Sequence, residues 1–238
     1  MNQILVTEKL YVTPELKRKK KFFKIEFFLS IFLVCILSSY YIYAEYNRSA
    51  SEQVSQQILA EVQTDDDTTK QTDDSDVMII VTDAEDTEEA EIEEQTVTQQ
   101  YVTINGTEYL TEATLTIPSI DITYPVLSET SDELLSISVN KYWGPDPNEV
   151  GNYCIVGHNY KNGKMFGRLS ELSNGDIVEL QDLSGNTVTY KVYNKYVVDP
   201  TDTSCTSQLT NGKTELTLIT CTNYGTQRLV VKCRAVDA

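Results

Sequence analysis

The chain has 238 residues, with 36 acidic against 19 basic side chains and a formal net charge of −17. That balance excludes the broad basic face that phosphate binding needs, so no nucleic-acid partner is expected. A single histidine and five cysteines without a Cys-x-x-Cys pair exclude an ordinary zinc site, and no cofactor is expected. The acidic residues lack calcium-loop spacing, which leaves calcium dependence open.

Taken in chain order, the N-terminus is basic. Lys17, Arg18, Lys19, Lys20, Lys21 and Lys24 precede Phe27–Ala44, an 18-residue stretch without a charged side chain. That is close to the ~20 residues a helix needs to cross a hydrocarbon core. The positive-inside rule then places residues 1–25 in the cytoplasm, a transmembrane anchor over 26–44 and everything beyond outside the cell. A cleaved signal peptide fits less well, because the basic region is long and Ile42 occupies a position where cleavage sites carry a small residue. Tyr40, Tyr41, Tyr43 and Tyr46 read as an interfacial aromatic belt.

Val54, Ile58 and Val62 recur every four residues, so the helix is expected to extend over 45–63. Residues 61–100 then hold fifteen acidic side chains against one lysine, whereas 1–60 hold five against eight and 101–238 hold sixteen against ten. Most of the acidity therefore belongs to a segment, 64–105, that is too charged and too poor in aromatics to bury a core. It reads as a disordered linker. Within it Val77-Met78-Ile79-Ile80-Val81 is a short β-prone run, read either as a sticky patch or as a strand that docks on the following domain or occludes its groove.

Turn chemistry begins at Gly106, and all ten glycines fall between there and Gly225. Residues 106–238 therefore form one mainly β domain. Strands are expected at Ala113–Ile117, Ile122–Leu127, Tyr153–Val156, Asp176–Gln181, Thr187–Val198 (long enough for two), Glu215–Thr220 and Arg228–Val236. Ser131–Val139 reads as a short helix behind an N-cap serine, and Met165–Leu172 as a helical turn. Seven or eight strands with one or two short helices point to a closed or nearly closed barrel.

The chemistry-bearing residues sit at strand ends. Cys221 closes the run from Glu215, Arg228 opens the last strand, and the only imidazole, His158, follows Tyr153–Val156. A free thiol titrates near ~8.5 and needs a neighbouring base or cation to act as a nucleophile. Histidine, with an ordinary pKa near ~6.5, supplies one and can then protonate a leaving amine. Arginine stays charged and can stabilise a carbonyl oxyanion without titrating. Alternation in the last strand places Leu229, Val231 and Cys233 on the core face and Arg228 on the opposite one. The other cysteines, Cys35, Cys154, Cys205 and Cys233, are read as thiols, with Cys154–Cys233 or Cys154–Cys205 as minor disulfide possibilities in an extracellular setting.

Thr217-Leu218-Ile219-Thr220-Cys221, Ile155-Val156-Gly157-His158 and Arg228-Leu229-Val230-Val231 together resemble the motifs of the sortase family, over roughly residues 113–236. The resemblance implies a seven- to eight-stranded sortase-type β-barrel carrying His158, Cys221 and Arg228 as catalytic residues. It also implies a membrane-anchored cysteine transpeptidase of Gram-positive bacteria. Such enzymes cut a Leu-Pro-x-Thr-Gly sorting signal of a surface protein between Thr and Gly. The thioacyl intermediate then passes to an amine of a cell-wall precursor or a pilin. In sortases the loop corresponding to Asp199–Thr214 helps form the signal-binding groove, and here it is too short for the helical insertion typical of class B. No lid segment or C-terminal membrane helix of the class C kind is recognisable, which favours a class D-like or otherwise unassigned enzyme. The His158-Asn159-Tyr160 neighbourhood keeps some class B character. A membrane-tethered thiol hydrolase and a non-catalytic β-barrel binding module are the alternatives.

Overall fold

The structure, a computed structural model, describes residues 14–69 and 99–236. The Val77–Val81 run therefore lies outside the described residues. Two compact units divide the chain between Ser49 and Ala50.

The first unit is helical. Helix α1 spans Pro14–Thr69, and Arg18–Gln63 within it is long and apolar enough to cross a membrane. Its most apolar stretch has a mean hydropathy of 2.0 and is 0% buried. Phe28, Phe32 and Leu37 stand exposed along it, as lipid-facing side chains do.

The second unit contains the last turns of α1 and a β-barrel. Strands β1 (Gln100–Ile104), β2 (Thr107–Ile117), β3 (Ile122–Leu127), β4 (Val139–Trp143) and β5 (Gly151–Val156) come first. After them come β6 (Ile177–Asp182), β7 (Thr187–Val198), β8 (Thr214–Thr222) and β9 (Gln227–Ala235). The sheet order is β1-β2-β3-β4-β5-β8-β9-β7-β6, and β6 pairs back onto β2. Eight strands, β2 to β9, thus close a barrel and leave no open edge except through the appended β1. The β3–β4 and β5–β8 pairs are parallel, and every other neighbouring pair is antiparallel.

Alternation decides which side chains fill the barrel. Leu216 and Leu218 on β8 and Leu229, Val231 and Cys233 on β9 point into the main core, with Leu115, Tyr153, Ile155, Phe166 and Tyr190. Ile219 and Val230 point the other way, forming an outer cluster with Cys205. A third cluster joins Ile58, on α1, to Val102, Ile104 and Leu127, with Val54 and Val62 packed beside them. The four-residue recurrence of Val54, Ile58 and Val62 therefore marks a helix face buried on the barrel wall.

Several expected elements change. The helix read over Ser131–Val139 is shorter: α2 covers Asp132–Ile137, with the Ser131 side chain capping the Leu134 amide at 3.1 Å. Val139 instead starts β4, fully buried and paired with Val126 of β3, because barrel closure offers a β-branched residue more than a last helical turn does. Polar Asn140 and Lys141 had hidden that strand from an apolar-run criterion. β1 falls inside the stretch assigned to the 64–105 linker, ordered there by pairing with β2 and by burial of Val102 and Ile104. Thr187–Val198 is one strand, interrupted only by a bulge between Val192 and Asn194. The turn expected in Met165–Leu172 is a 3-10 turn at Leu169–Glu171.

Candidate active site

The parallel β5–β8 pair places the histidine beside the thiol. In its register Val156 faces Ile219. Two residues further along each strand lie His158 and Cys221, so 63 positions of sequence collapse to neighbouring strand ends. The pairing continues past the strands: the Gly157 amide donates to the Ile219 carbonyl at 3.2 Å, and the Thr220 hydroxyl donates to the Gly157 carbonyl at 2.7 Å. The residues immediately before His158 and Cys221 are thereby bonded to each other. Gly157 is required by space as well, since a Cβ there would sit 2.8 Å from the Phe166 ring and 2.9 Å from Val139.

Arg228 arrives by the antiparallel β8–β9 pair, in which Cys221 and Arg228 are direct cross-strand partners. Directly opposed residues project to the same side of a sheet, here the outer face that also carries Ile219 and Val230. The Arg228 Nη1 donates to the Gly225 and Gln227 carbonyls of the β8–β9 turn, at 3.0 and 3.1 Å. Among the described residues Nε and Nη2 make no hydrogen bond. The guanidinium is anchored at one nitrogen and keeps donors for a ligand.

The three residues thus share one edge of the barrel. Beside them is a groove of about 220 Å³ whose walls include Tyr142, Val156, Val198, Cys205, Ile219 and Arg228. The β7–β8 loop forms one wall and is fastened to the barrel. The Asn152 side chain donates to the Cys205 and Ser207 carbonyls at 2.9 and 3.1 Å, and Lys232 Nζ donates to the Cys205 carbonyl at 3.2 Å. The groove mixes these apolar walls with the polar side chains of Asp202, Thr203, Thr206 and Arg228.

Burial lowers the His158 pKa below its ordinary value, and the negative charge of Asp132, in the first turn of α2, partly opposes that. Desolvation disfavours imidazolium, so the neutral ring predominates at pH 7. The His158 ring also lies 5.1 Å from that of Tyr160, centroid to centroid. All five cysteines are free, and Cys221 is partly exposed while Cys154, Cys205 and Cys233 are buried. Burial pushes the Cys154 and Cys233 thiols up to about 12, and Cys205 is raised as well. Among the described cysteines of the barrel, Cys221 is the one both accessible and placed beside an imidazole. No cluster of three or more metal-ligating side chains occurs among the described residues.

Sequence reasoning missed two neighbours. Asn159 donates its side-chain amide to the Cys221 carbonyl at 2.7 Å, and Asp132 is the carboxylate whose field reaches His158. Asn159 follows His158 directly and could have been singled out; Asp132, in the loop-to-helix turn, could not without the tertiary contact.

A family model described as Sortase domain matches residues 115–236. The chain belongs to the sortase family. The sortase A of Corynebacterium diphtheriae is 28% identical with a TM-score of 0.51, over 56% of this chain and 63% of that one. This sortase therefore spans less than two thirds of that chain. A Clostridium perfringens sortase D5 transpeptidase is 26% identical (TM-score 0.49; 53% and 79% of the two chains), and the sortase C-1 of Actinomyces oris 30% identical (TM-score 0.49; 53% and 74%). No curated protein matches the sequence.

Proposed function

We propose that this sortase is a cysteine transpeptidase in which Cys221 is the nucleophile, His158 the acid and base, and Arg228 the oxyanion donor. The observation that carries this reading is the register that sets Cys221 opposite Arg228 and level with His158, with Arg228 also lining a groove. His158 takes the Cys221 proton in a minority of molecules, and the thiolate so formed attacks the Thr carbonyl of a Leu-Pro-x-Thr-Gly type signal, whose oxygen takes up negative charge. Arg228, anchored through Nη1, offers its remaining donors to that oxygen. Collapse breaks the Thr–Gly bond; the leaving amine takes its proton from the His158 imidazolium, and a thioester remains on Cys221. An acceptor amine, of a cell-wall precursor or a pilin, then gives a proton to neutral His158 and attacks the thioester, regenerating the thiolate.

The α1 apolar stretch supports a single-pass anchor in the cell membrane, and the basic residues ahead of it support a cytoplasmic N-terminus and an extracellular barrel. The short β7–β8 loop, whose helical content among the described residues is the three-residue turn Ser204–Thr206, argues against class B and supports the class D-like or otherwise unassigned reading.

Mass spectrometry of the full chain with a library of sorting-signal peptides and an added amine tests the proposal. An acyl adduct on Cys221 and an amide product are expected. Release of carboxylic acid alone, at every amine concentration, would instead identify a thiol hydrolase. No adduct and no cleavage with any peptide would favour the binding module.

A further inference from the structure

A polar chain runs from α1 to the backbone of the proposed nucleophile. Both Glu52 carboxylate oxygens accept from the Tyr124 hydroxyl, at 3.0 and 3.1 Å. The same hydroxyl oxygen accepts the Met165 amide at 3.0 Å. Met165 pairs with Asn159 in an isolated β-bridge, and Asn159 donates to the Cys221 carbonyl. One residue further, the Phe166 amide donates to the His158 carbonyl at 3.0 Å.

Met165 is the costly member of this chain. Its φ is +49°, a left-handed conformation unusual for a residue with a long side chain, and it is 1% exposed. Such a backbone persists only where its surroundings hold it, and Tyr124 supplies the holding bond. Tyr124 is itself 4% exposed, so its hydroxyl needs partners on the protein, and Glu52 is the one contributed by α1. The helix is seated independently by Ile58, fully buried against β1 and β3, and by the Ser55 hydroxyl on Ser138 at 3.3 Å. Lys164, next to Met165, closes a second link to Glu52 at 3.8 Å.

We propose that Glu52 is a positioning residue: through Tyr124 it holds the Met165 turn, and with it the segment that carries His158 and Asn159 against Cys221. The inference rests on the transpeptidase reading for its kinetic consequence, but its structural consequence is independent of it. The groove lies among β4, β5, β7, β8, β9 and the β7–β8 loop and takes no residue from this chain of bonds, so substrate binding should be spared.

The test uses the full chain in detergent or membranes. Glu52→Ala and Tyr124→Phe should each lower kcat about tenfold with KM little changed, the scale of one lost buried hydrogen bond. Glu52→Gln, whose amide oxygen still accepts from Tyr124, should stay within about twofold of wild type, and the Glu52→Ala/Tyr124→Phe double variant should be no slower than Tyr124→Phe. Ser55→Ala, which removes a helix–barrel bond outside the chain, should leave kcat unchanged. Amide exchange at Met165 and Phe166 should accelerate in Glu52→Ala and Tyr124→Phe, and this readout needs no substrate. Accelerated exchange in a chain that cleaves no sorting peptide would uphold the linkage while overturning the transpeptidase reading. Unaltered exchange in both variants, additive losses in the double variant, or equal losses in Ser55→Ala would overturn the positioning role.

Discussion

At the scale of single residues, burial separates the thiols. Burial pushes the Cys154 and Cys233 thiols up to about 12, so neither forms appreciable thiolate near neutrality. Iodoacetamide at pH 7.5 should therefore modify Cys221 well before Cys154, Cys205 or Cys233, and Cys221→Ala should abolish both barrel labelling and peptide turnover. Peptide mapping checks the first and an amine-transfer assay the second; turnover by the alanine variant would remove Cys221 from the mechanism. His158 gives a cleaner titration than most enzymes allow, because the chain has no second histidine. Its NMR midpoint should lie below the ordinary ~6.5. Asp132→Asn should move it further down, because the carboxylate that favours imidazolium is removed. A folded-state pKa below the unfolded one means a stability contribution present above about 6.5 and lost as pH falls through the folded value. His158→Gln should flatten that part of the stability–pH curve. Under the proposed mechanism it should also erase the bell-shaped rate profile, whose limbs belong to the His158–Cys221 pair.

At the scale of elements, the site depends on keeping the ends of β5 and β8 together. Thr220 is 2% exposed, and its hydroxyl is the tie to the Gly157 carbonyl. Thr220→Val preserves volume and β propensity while leaving a buried carbonyl short of a donor, at a cost of about 1–3 kcal/mol. Urea unfolding should show that loss, and kcat should fall with it because His158 and Cys221 follow the two tied residues. Full activity with normal stability would mean that the strand ends hold without this bond. Strand existence was readable from β-branched runs, and β3 and β7 have the bounds expected of them. β4 was not readable, because its buried Asn140 and half-buried Lys141 look like loop residues until the barrel closes around them.

At the scale of the whole molecule, charge and hydropathy are segregated along the chain. One apolar helix long enough for a bilayer begins at Arg18, and the acidic surplus is concentrated in 61–100. With the proposed topology, protease added to intact cells should cut within 64–100, release the barrel unit and leave the basic N-terminus protected. Immunoblotting with tags at the two ends checks this. A barrel protected until the cells are lysed would reverse the orientation and remove an extracellular sorting role.

The sequence alone determined what depends on near neighbours. An 18-residue uncharged run, a four-residue recurrence of Val54, Ile58 and Val62, a capping Ser131 and alternating strands each arise from interactions within a few residues. The motifs around His158, Cys221 and Arg228 were also local enough to be recognised. Tertiary structure decided what depends on strands meeting out of sequence order. The parallel β5–β8 register, the cross-strand pairing of Cys221 with Arg228, the field of Asp132 on His158 and the path from Glu52 through Tyr124 to Met165 are all of this kind. The physical reason is that closing a barrel brings together residues tens of positions apart, and only when every strand is paired do the burial and bond partners of each side chain become defined.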